Sequence, residues 1–220
     1  MTRADRDLLL FHAAFGAVAV AGVLAPVGAL GWRILALVAL YNVARPLWSG
    51  VRGHSAAVRL WRFLVPLSAF QVVPDAFLAD VLGVLVFPDT GGPRLGPVPL
   101  ALAGMWTIPL FAVVWIAQRV EEGRGVRAAA WAAAGLALVA FAIAEATLWR
   151  VPIWEARNVA TIGGMALYVL PPEALLGTAA YLAERWTRGA GPLARIGAAG
   201  VVAVLYLGAL GASYYVFEAA

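Results

Sequence analysis

The sequence contains no cysteine and no lysine, and it has only two histidines. Without cysteine, the chain cannot form disulfides, cysteine-ligated iron–sulfur clusters or thiolate metal sites. Without lysine it cannot carry a retinal Schiff base, which excludes a rhodopsin. The sequence also has no Gly-rich nucleotide loop, no His-containing metal motif and no DDxxD diphosphate box. Any chemistry is therefore expected to need no metal and no cofactor.

Charged residues are scarce as well. They make up 13% of the 220 residues, whereas 63% are hydrophobic, and the mean hydropathy is +0.86. This composition is typical of an integral membrane protein, and apolar runs of about 20 residues match the length that crosses ~30 Å of hydrocarbon as α-helix. We predict an all-α fold, a single membrane domain over residues 1–220. Its seven transmembrane helices are expected at roughly 8–25, 33–49, 63–87, 97–118, 128–149, 160–183 and 196–217.

All 16 basic residues are arginine, and their distribution predicts the orientation of the chain. With seven spans, Arg33, Arg94, Arg150 and Arg157 fall on one side, and the other twelve fall on the side of the N-terminus. Because basic residues accumulate in cytoplasmic loops, we predict a multi-pass protein with a cytoplasmic N-terminus and an external C-terminus. This topology also explains the net charge of +4, so no nucleic-acid partner is expected.

Four acidic residues fall within predicted spans, where carboxyl groups are costly and often functional: Asp75, Asp80, Glu145 and Glu173. Asp75 and Glu173 each follow a proline directly, in VVPDAFLAD and YVLPPEALLG. Proline removes a helical hydrogen bond, and broken backbone inside a membrane is tolerated where it faces protein or a cavity. We therefore expect bent helices around a pocket that collects the four acids. The alternative is that each acid pairs with an arginine or a backbone group and only stabilises helix packing.

A carboxyl group buried away from a positive partner can keep its proton and act as a Brønsted acid. An aromatic ring beside it can stabilise a cation by about 0.5–2 kcal/mol. For any single aromatic residue, packing against lipid is the alternative. The deep aromatic residues that could face the acids are Phe70, Phe77, Trp106, Trp115, Phe141 and Tyr168. Two proline-rich outer loops, at 87–99 and 148–164, follow acid-bearing spans and are expected to cap one mouth of the pocket.

Part of this acid-bearing region resembles the lycopene cyclase domain of integral membrane carotenoid enzymes. EATLWRVPIW places Trp154 nine positions after Glu145, and LPPEALLG follows about one span later. The family carries an acid, a tryptophan at the helix end, and then a P-x-E-E motif on the next helix. Pro171 and Glu173 match the proline and the first glutamate of that motif, and Ala174 replaces the second glutamate.

A second, weaker copy of the pattern begins at PDAFLAD, where Asp75 takes the place of the first acid. Gly104, Met105 and Trp106 stand where the acidic pair would be. The lycopene cyclase-like region therefore covers residues 70–183. Its departures from the family pattern favour a shorter prenylated substrate over lycopene.

The resemblance implies an integral membrane terpene cyclase, an enzyme of the isomerase or lyase type. Such an enzyme protonates an alkene or epoxide of a lipophilic isoprenoid, closes a ring through carbocations and loses a proton. Glu173 and Asp75 are the expected catalytic pair, with Glu145 as the next catalytic candidate, and the sequence leaves open which one is the acid. The residues expected to bind substrate are Asp80, Phe77, Trp106, Trp154 and Tyr168.

Other functions remain open at this stage. The same carboxyl groups would serve a carotenoid hydratase, which adds water to the cation. A non-enzymatic lipid-binding, isoprenoid-binding or assembly protein would keep the scaffold without the chemistry. A transporter would need polar inner halves, and the inner halves here are mostly Ala, Val and Leu. The expected partners are a lipophilic isoprenoid and membrane lipid, and a homo-oligomer is one option for the assembly state.

Overall fold

The computed structural model describes residues 2–148 and 151–218, most of which are helical. The α-helices are α1 (Arg3–Leu24), α2 (Leu30–Val51), α3 (Ser55–Phe70), α4 (Val72–Ala76), α5 (Leu102–Met105), α6 (Thr107–Leu148), α7 (Leu170–Trp186) and α8 (Pro192–Glu218). A π-helix (Phe77–Val81) continues α4, and a 3-10 helix (Leu167–Val169) leads into α7. Short strands occupy the loops: β1 (Leu85–Val86), β2 (Arg94–Leu95), β3 (Val98–Pro99), β4 (Glu155–Ala156), β5 (Thr161–Ile162) and β6 (Met165–Ala166).

Apolar helices dominate the architecture, which confirms the predicted all-α class. In the described part of the chain, five segments are long and apolar enough to cross a membrane: Arg3–Leu24, Leu30–Val51, Ser55–Val81, Leu102–Thr147 and Pro192–Glu218. Large hydrophobic side chains such as Leu10, Trp131 and Val204 are exposed on their outer faces, as expected of surfaces that contact lipid. The structure therefore supports a membrane protein, and length and composition alone give five spans rather than the predicted seven.

Helix α6 is a hairpin that turns back at Gly125. Gly125 has φ +79° and ψ 175°, a backbone conformation that glycine adopts without strain. The ring of Trp106, just before α6, lies 5.2 Å from the ring of Phe141, whereas a straight helix would separate these residues by ~50 Å. Helix α6 therefore consists of two antiparallel segments, 107–124 and 126–148.

The second segment of α6 packs closely against α7 through small residues. A Cβ atom added at Gly177 would lie 2.4 Å from the Ala137 Cβ and 2.6 Å from the Ala133 carbonyl oxygen. In the same contact, Thr178 Oγ1 donates a hydrogen bond to the Ala130 carbonyl oxygen at 3.2 Å. This close approach fixes the position of α7 relative to the segment of α6 that carries Glu145.

Ion pairs join the helices at one end of the bundle. Arg188 contacts Glu121 at 2.7 Å and Glu184 at 3.0 Å, and Arg185 contacts Glu121 at 2.7 Å. These residues lie at the turn of α6 and at the end of α7, and we call this part of the molecule the arginine end. Its arginines all belong to the set that the sequence assigns to the cytoplasmic side.

Two loops cover the opposite end, and we call residues 84–99 and 151–166 the cap. Strands β1 and β4 pair antiparallel and so join the two loops to each other. The Arg157 backbone N–H donates to the Val84 carbonyl oxygen at 2.9 Å. The Glu218 carboxylate, at the end of α8, accepts a hydrogen bond from the Ala160 backbone N–H at 3.0 Å. The expected cap is thus present, and Trp149 and Arg150 in its second loop lie outside the described residues.

Candidate functional site

A cavity of about 310 Å³ lies beneath the cap. Its walls come from α4 to α8, from the short helices next to α4 and α7, and from the cap. This volume is at the lower end of the range of about 300–1,000 Å³ that is usual for small-molecule sites. Among the described residues that line it, the charged ones are Asp75, Glu145 and Glu173, which we call the cavity acids, and the others are mostly apolar or aromatic.

Glu173 lies in the first turn of α7, immediately after Pro171 and Pro172. The sequence predicted that these prolines interrupt the middle of a span at 160–183, but they begin the helix instead. Proline is tolerated in the first turn because the N–H groups there have no partner within the helix. The Glu173 side chain is 3% exposed, and within the described part of the chain its Oε2 atom has no hydrogen-bond partner.

Asp75 lies in α4, directly after Pro74, where the backbone is about to widen into the π-helix. It is 5% exposed, and its Oδ2 atom accepts a hydrogen bond from Trp106 Nε1 at 3.3 Å. The π-helix closes with a hydrogen bond from the Leu82 N–H to the Phe77 carbonyl oxygen, and single π-turns of this kind occur often at functional sites. The predicted break in regular helix beside Asp75 is therefore present.

Glu145 lies in the second segment of α6 and is partly buried. Its Oε1 atom accepts a hydrogen bond from Trp154 Nε1 at 2.8 Å. Trp154 belongs to the cap and directly precedes β4. The acid and the tryptophan that stand nine positions apart in the sequence are therefore in direct contact across the boundary between the bundle and the cap.

Aromatic rings complete the wall next to the acids. The ring of Trp106 lies 5.2 Å from Phe141 and 5.9 Å from Tyr206. Tyr168, in the 3-10 helix, is buried, and its carbonyl oxygen accepts a hydrogen bond from Ser213 Oγ at 2.6 Å. Tyr206 lies on α8, beyond the region with family resemblance, and nothing in its apolar sequence neighbourhood distinguishes it. Sequence reasoning therefore missed it.

The cavity brings together six of the eight residues that the sequence proposed for the site: Asp75, Trp106, Glu145, Trp154, Tyr168 and Glu173. Phe77 and Asp80 are not part of its lining. Asp80 is exposed, and Phe77 lies against Gly211 of α8. At a helical spacing of about 100° per residue, Phe77 lies about 160° and Asp80 about 140° around the axis from Asp75, so neither shares the helix face that Asp75 presents to the cavity.

The cavity acids differ in their hydrogen-bond partners. Within the described residues, no set of three or more His, Cys, Asp or Glu side chains is arranged to hold a metal ion. Two of the acids accept hydrogen bonds from indole N–H donors, and in the described part of the chain the third has an oxygen atom without a donor. The arrangement therefore offers carboxyl groups with different hydrogen-bonding environments around one apolar space.

The fold and the site define a helical protein with candidate membrane spans that encloses an acidic and aromatic cavity. A family model described as a domain of unknown function, DUF6989, matches residues 72–217. Because this match covers more than half of the 220 residues, the chain belongs to that family. Comparison with curated proteins and with solved structures found no match. The matched region contains every described residue that lines the cavity, whereas α1, α2 and α3 precede it.

Proposed function

We propose that this protein is an integral membrane terpene cyclase that acts on a lipophilic isoprenoid within the cavity. The observation that carries the proposal is the convergence of the cavity acids, from three different helices, in a space lined mainly by apolar and aromatic side chains. The similarity of the segments around Glu145 and Glu173 to the lycopene cyclase domain supports the same reaction class.

The proposal includes seven membrane crossings. The hairpin of α6 supplies two of them, because its segments 107–124 and 126–148 run antiparallel. Helix α7 supplies a shorter one, and its 17 residues are at the lower limit of about 17–25 residues for a crossing. With a cytoplasmic N-terminus, the arginine end faces the cytoplasm and the cap and C-terminus face outward.

Glu173 is our choice for the acid that starts the reaction. No donor among the described residues faces its Oε2 atom, and an unpaired carboxylate at a buried position is unfavourable. In the first step the proton leaves the Glu173 carboxyl group and forms a bond to an alkene carbon or an epoxide oxygen. Glu173 is left as a carboxylate, and the substrate carries the positive charge.

Ring closure then uses the electron pair of a second alkene, which forms a carbon–carbon bond to the cation. The rings of Trp106, Phe141 and Tyr206 stabilise the positive charge as it moves. Asp75 is our choice for the final base, because the indole N–H of Trp106 stabilises negative charge on its carboxylate. Loss of a proton from the carbon next to the last cation forms a new alkene and completes a redox-neutral reaction.

The cavity also limits the size and the charge of the substrate. A volume of about 310 Å³ suits a short prenylated molecule, or the ring-forming end of a longer one. Among the described lining residues there is no arginine that could pair with a diphosphate group. The reacting part of the substrate is therefore proposed to be uncharged.

Lipid extraction from cells that express the chain beside an isoprenoid pathway tests the proposal. A cyclase gives a product that is isomeric with its precursor and absent from cells with an empty vector. A product heavier by one water supports the hydratase instead. An isoprenoid that copurifies unchanged, with no new product, supports a binding protein and contradicts the cyclase.

A further inference from the structure

We propose that the cavity binds lipophilic organic cations, specifically a tertiary ammonium group attached to a short prenyl chain. This inference rests on the charges and contacts of the cavity, and it does not require that the protein catalyses a reaction. Its starting point is an imbalance of charge, because three acids and no arginine or histidine occur among the described residues that line the cavity.

The buried acids elsewhere in the described part of the chain are paired with cations. Buried Asp7 contacts Arg52 at 2.9 Å, and buried Glu184 contacts Arg188 at 3.0 Å. Within the described residues no such ion pair involves a cavity acid. Among the described residues, the cavity is therefore lined by carboxyl groups that have no positive partner, and a bound ammonium group would supply one.

Glu173 provides the anchoring atom for that cation. Its Oε2 is buried and lacks a donor among the described residues, so a carboxylate there has lost its water without gaining a hydrogen bond. A protonated tertiary amine brings one N–H donor and one positive charge, and charge-assisted hydrogen bonds are the strong ones in a dry environment. A hydrocarbon of the same shape brings neither.

The aromatic wall suits the alkyl groups on the nitrogen. Trp106, Phe141 and Tyr206 form a continuous ring cluster, and aromatic faces attract alkylated ammonium groups through their quadrupoles. The same protein already packs a cation in this way, since the guanidinium carbon of buried Arg45 lies 4.2 Å from the ring centroid of Phe111. Trp106, Phe141 and Tyr206 all line the cavity, so their rings can contact a ligand bound there.

Calorimetric titration of the purified full chain in a non-ionic detergent tests the inference with two probes. The first is N,N-dimethylgeranylamine, and the second is its neutral isostere, with a CH group in place of the nitrogen. We expect saturable binding of the amine at least about tenfold tighter than that of the isostere, the factor expected of one charge-assisted interaction. Equal affinity for the two probes would overturn the proposal, and this comparison needs only the wild-type chain.

Substitution of Glu173 tests whether the amine binds in the cavity. Glu173→Gln is expected to reduce the preference for the amine over the isostere by about tenfold, because it removes the charge and keeps the shape. Glu122→Gln is the matched control, since Glu122 is an exposed acid at the arginine end, and it should keep the wild-type preference. An unchanged preference in Glu173→Gln contradicts the site.

Amine binding without any cyclised product would uphold this inference and overturn the proposed cyclase. Product formation without a preference for the amine would uphold the cyclase and overturn this inference.

Discussion

Trp154 in the cap donates its indole N–H to the Glu145 carboxylate of α6 across 2.8 Å. Removing this donor while keeping an aromatic ring, in Trp154→Phe, is expected to lower product formation by about tenfold or more, the effect of one hydrogen bond to a charged group. The measurement is the initial rate of product formation in liposomes. Trp131→Phe is the matched control, because Trp131 lies on α6, the helix that carries Glu145, and is 81% exposed. Equal rates for the two variants would contradict a role for this hydrogen bond.

Glu173→Gln and Asp75→Asn are expected to abolish ring formation. Each removes a proton-transfer group while keeping the size of the side chain, and such groups typically contribute about 10²–10⁴-fold to a rate. Product is quantified by mass spectrometry, and size-exclusion chromatography in detergent verifies that each variant is folded. Glu122→Gln, at the arginine end, is expected to retain activity. The carboxyl mechanism is wrong if both cavity variants convert substrate at the wild-type rate.

Asp80→Asn tests whether Asp80 contributes to activity as Asp75 does, since both aspartates lie in PDAFLAD. Because Asp80 is exposed and lies outside the cavity lining, its substitution is expected to affect product formation much less than Asp75→Asn. The same liposome assay compares the two variants side by side. An effect of Asp80→Asn as large as that of Asp75→Asn would support the role in substrate binding that the sequence proposed for Asp80.

Gly177→Ala is expected to destabilise the protein. The added methyl group would meet the Ala137 Cβ and the Ala133 carbonyl oxygen at 2.4 and 2.6 Å, and relieving such overpacking typically costs about 1–3 kcal/mol. Gly197→Ala makes the same change on α8, where no described atom beyond the neighbouring helix backbone lies within 4 Å of the new methyl group, and it should be neutral or slightly stabilising. Thermal unfolding in detergent compares the two. Similar unfolding temperatures would mean that α6 and α7 are not as close as described.

Single engineered cysteines test the proposed topology. Because the natural chain has no cysteine, Arg124→Cys and Thr161→Cys each introduce one thiol, at the turn of α6 and in the cap. An impermeant maleimide added to intact cells should label the cap position and not the turn. Reporter proteins fused to the two termini should also report opposite sides. Labelling of both cysteines from outside, or termini on the same side, would exclude the seven-crossing arrangement.

The sequence predicted the composition of the site better than the shape of its helices. Carboxyl groups in apolar runs are costly and often functional, so Asp75, Glu145 and Glu173 could be chosen from residue type and position, but the same criterion also selected Asp80, which is exposed. The structural meaning of a proline is ambiguous, because proline either bends a helix or begins one. Pro171 therefore correctly indicated an irregularity beside Glu173, but the irregularity is the start of α7 and not a bend within a span.

Two other features depend on contacts that no local pattern records. The π-helix at Phe77–Val81 differs from α-helix by one hydrogen-bond register, and five residues carry too little periodicity to reveal it. Tyr206 reaches the cavity only because α8 packs beside α4 and α7, which is a relation between distant parts of the chain. The turn at Gly125, by contrast, lies within the predicted loop between two spans.

The hairpin of α6 has a consequence for the size of the ligand. Ile108 and Pro109 from its first segment and Phe141 and Ala144 from its second both line the cavity, so one turn sets the spacing of two cavity walls. That turn, at Gly125, lies ~25 Å along the helix from Pro109. We therefore expect substitutions at this glycine to change the spacing of the two segments, and with it the width of the cavity, without altering any described residue that lines the cavity.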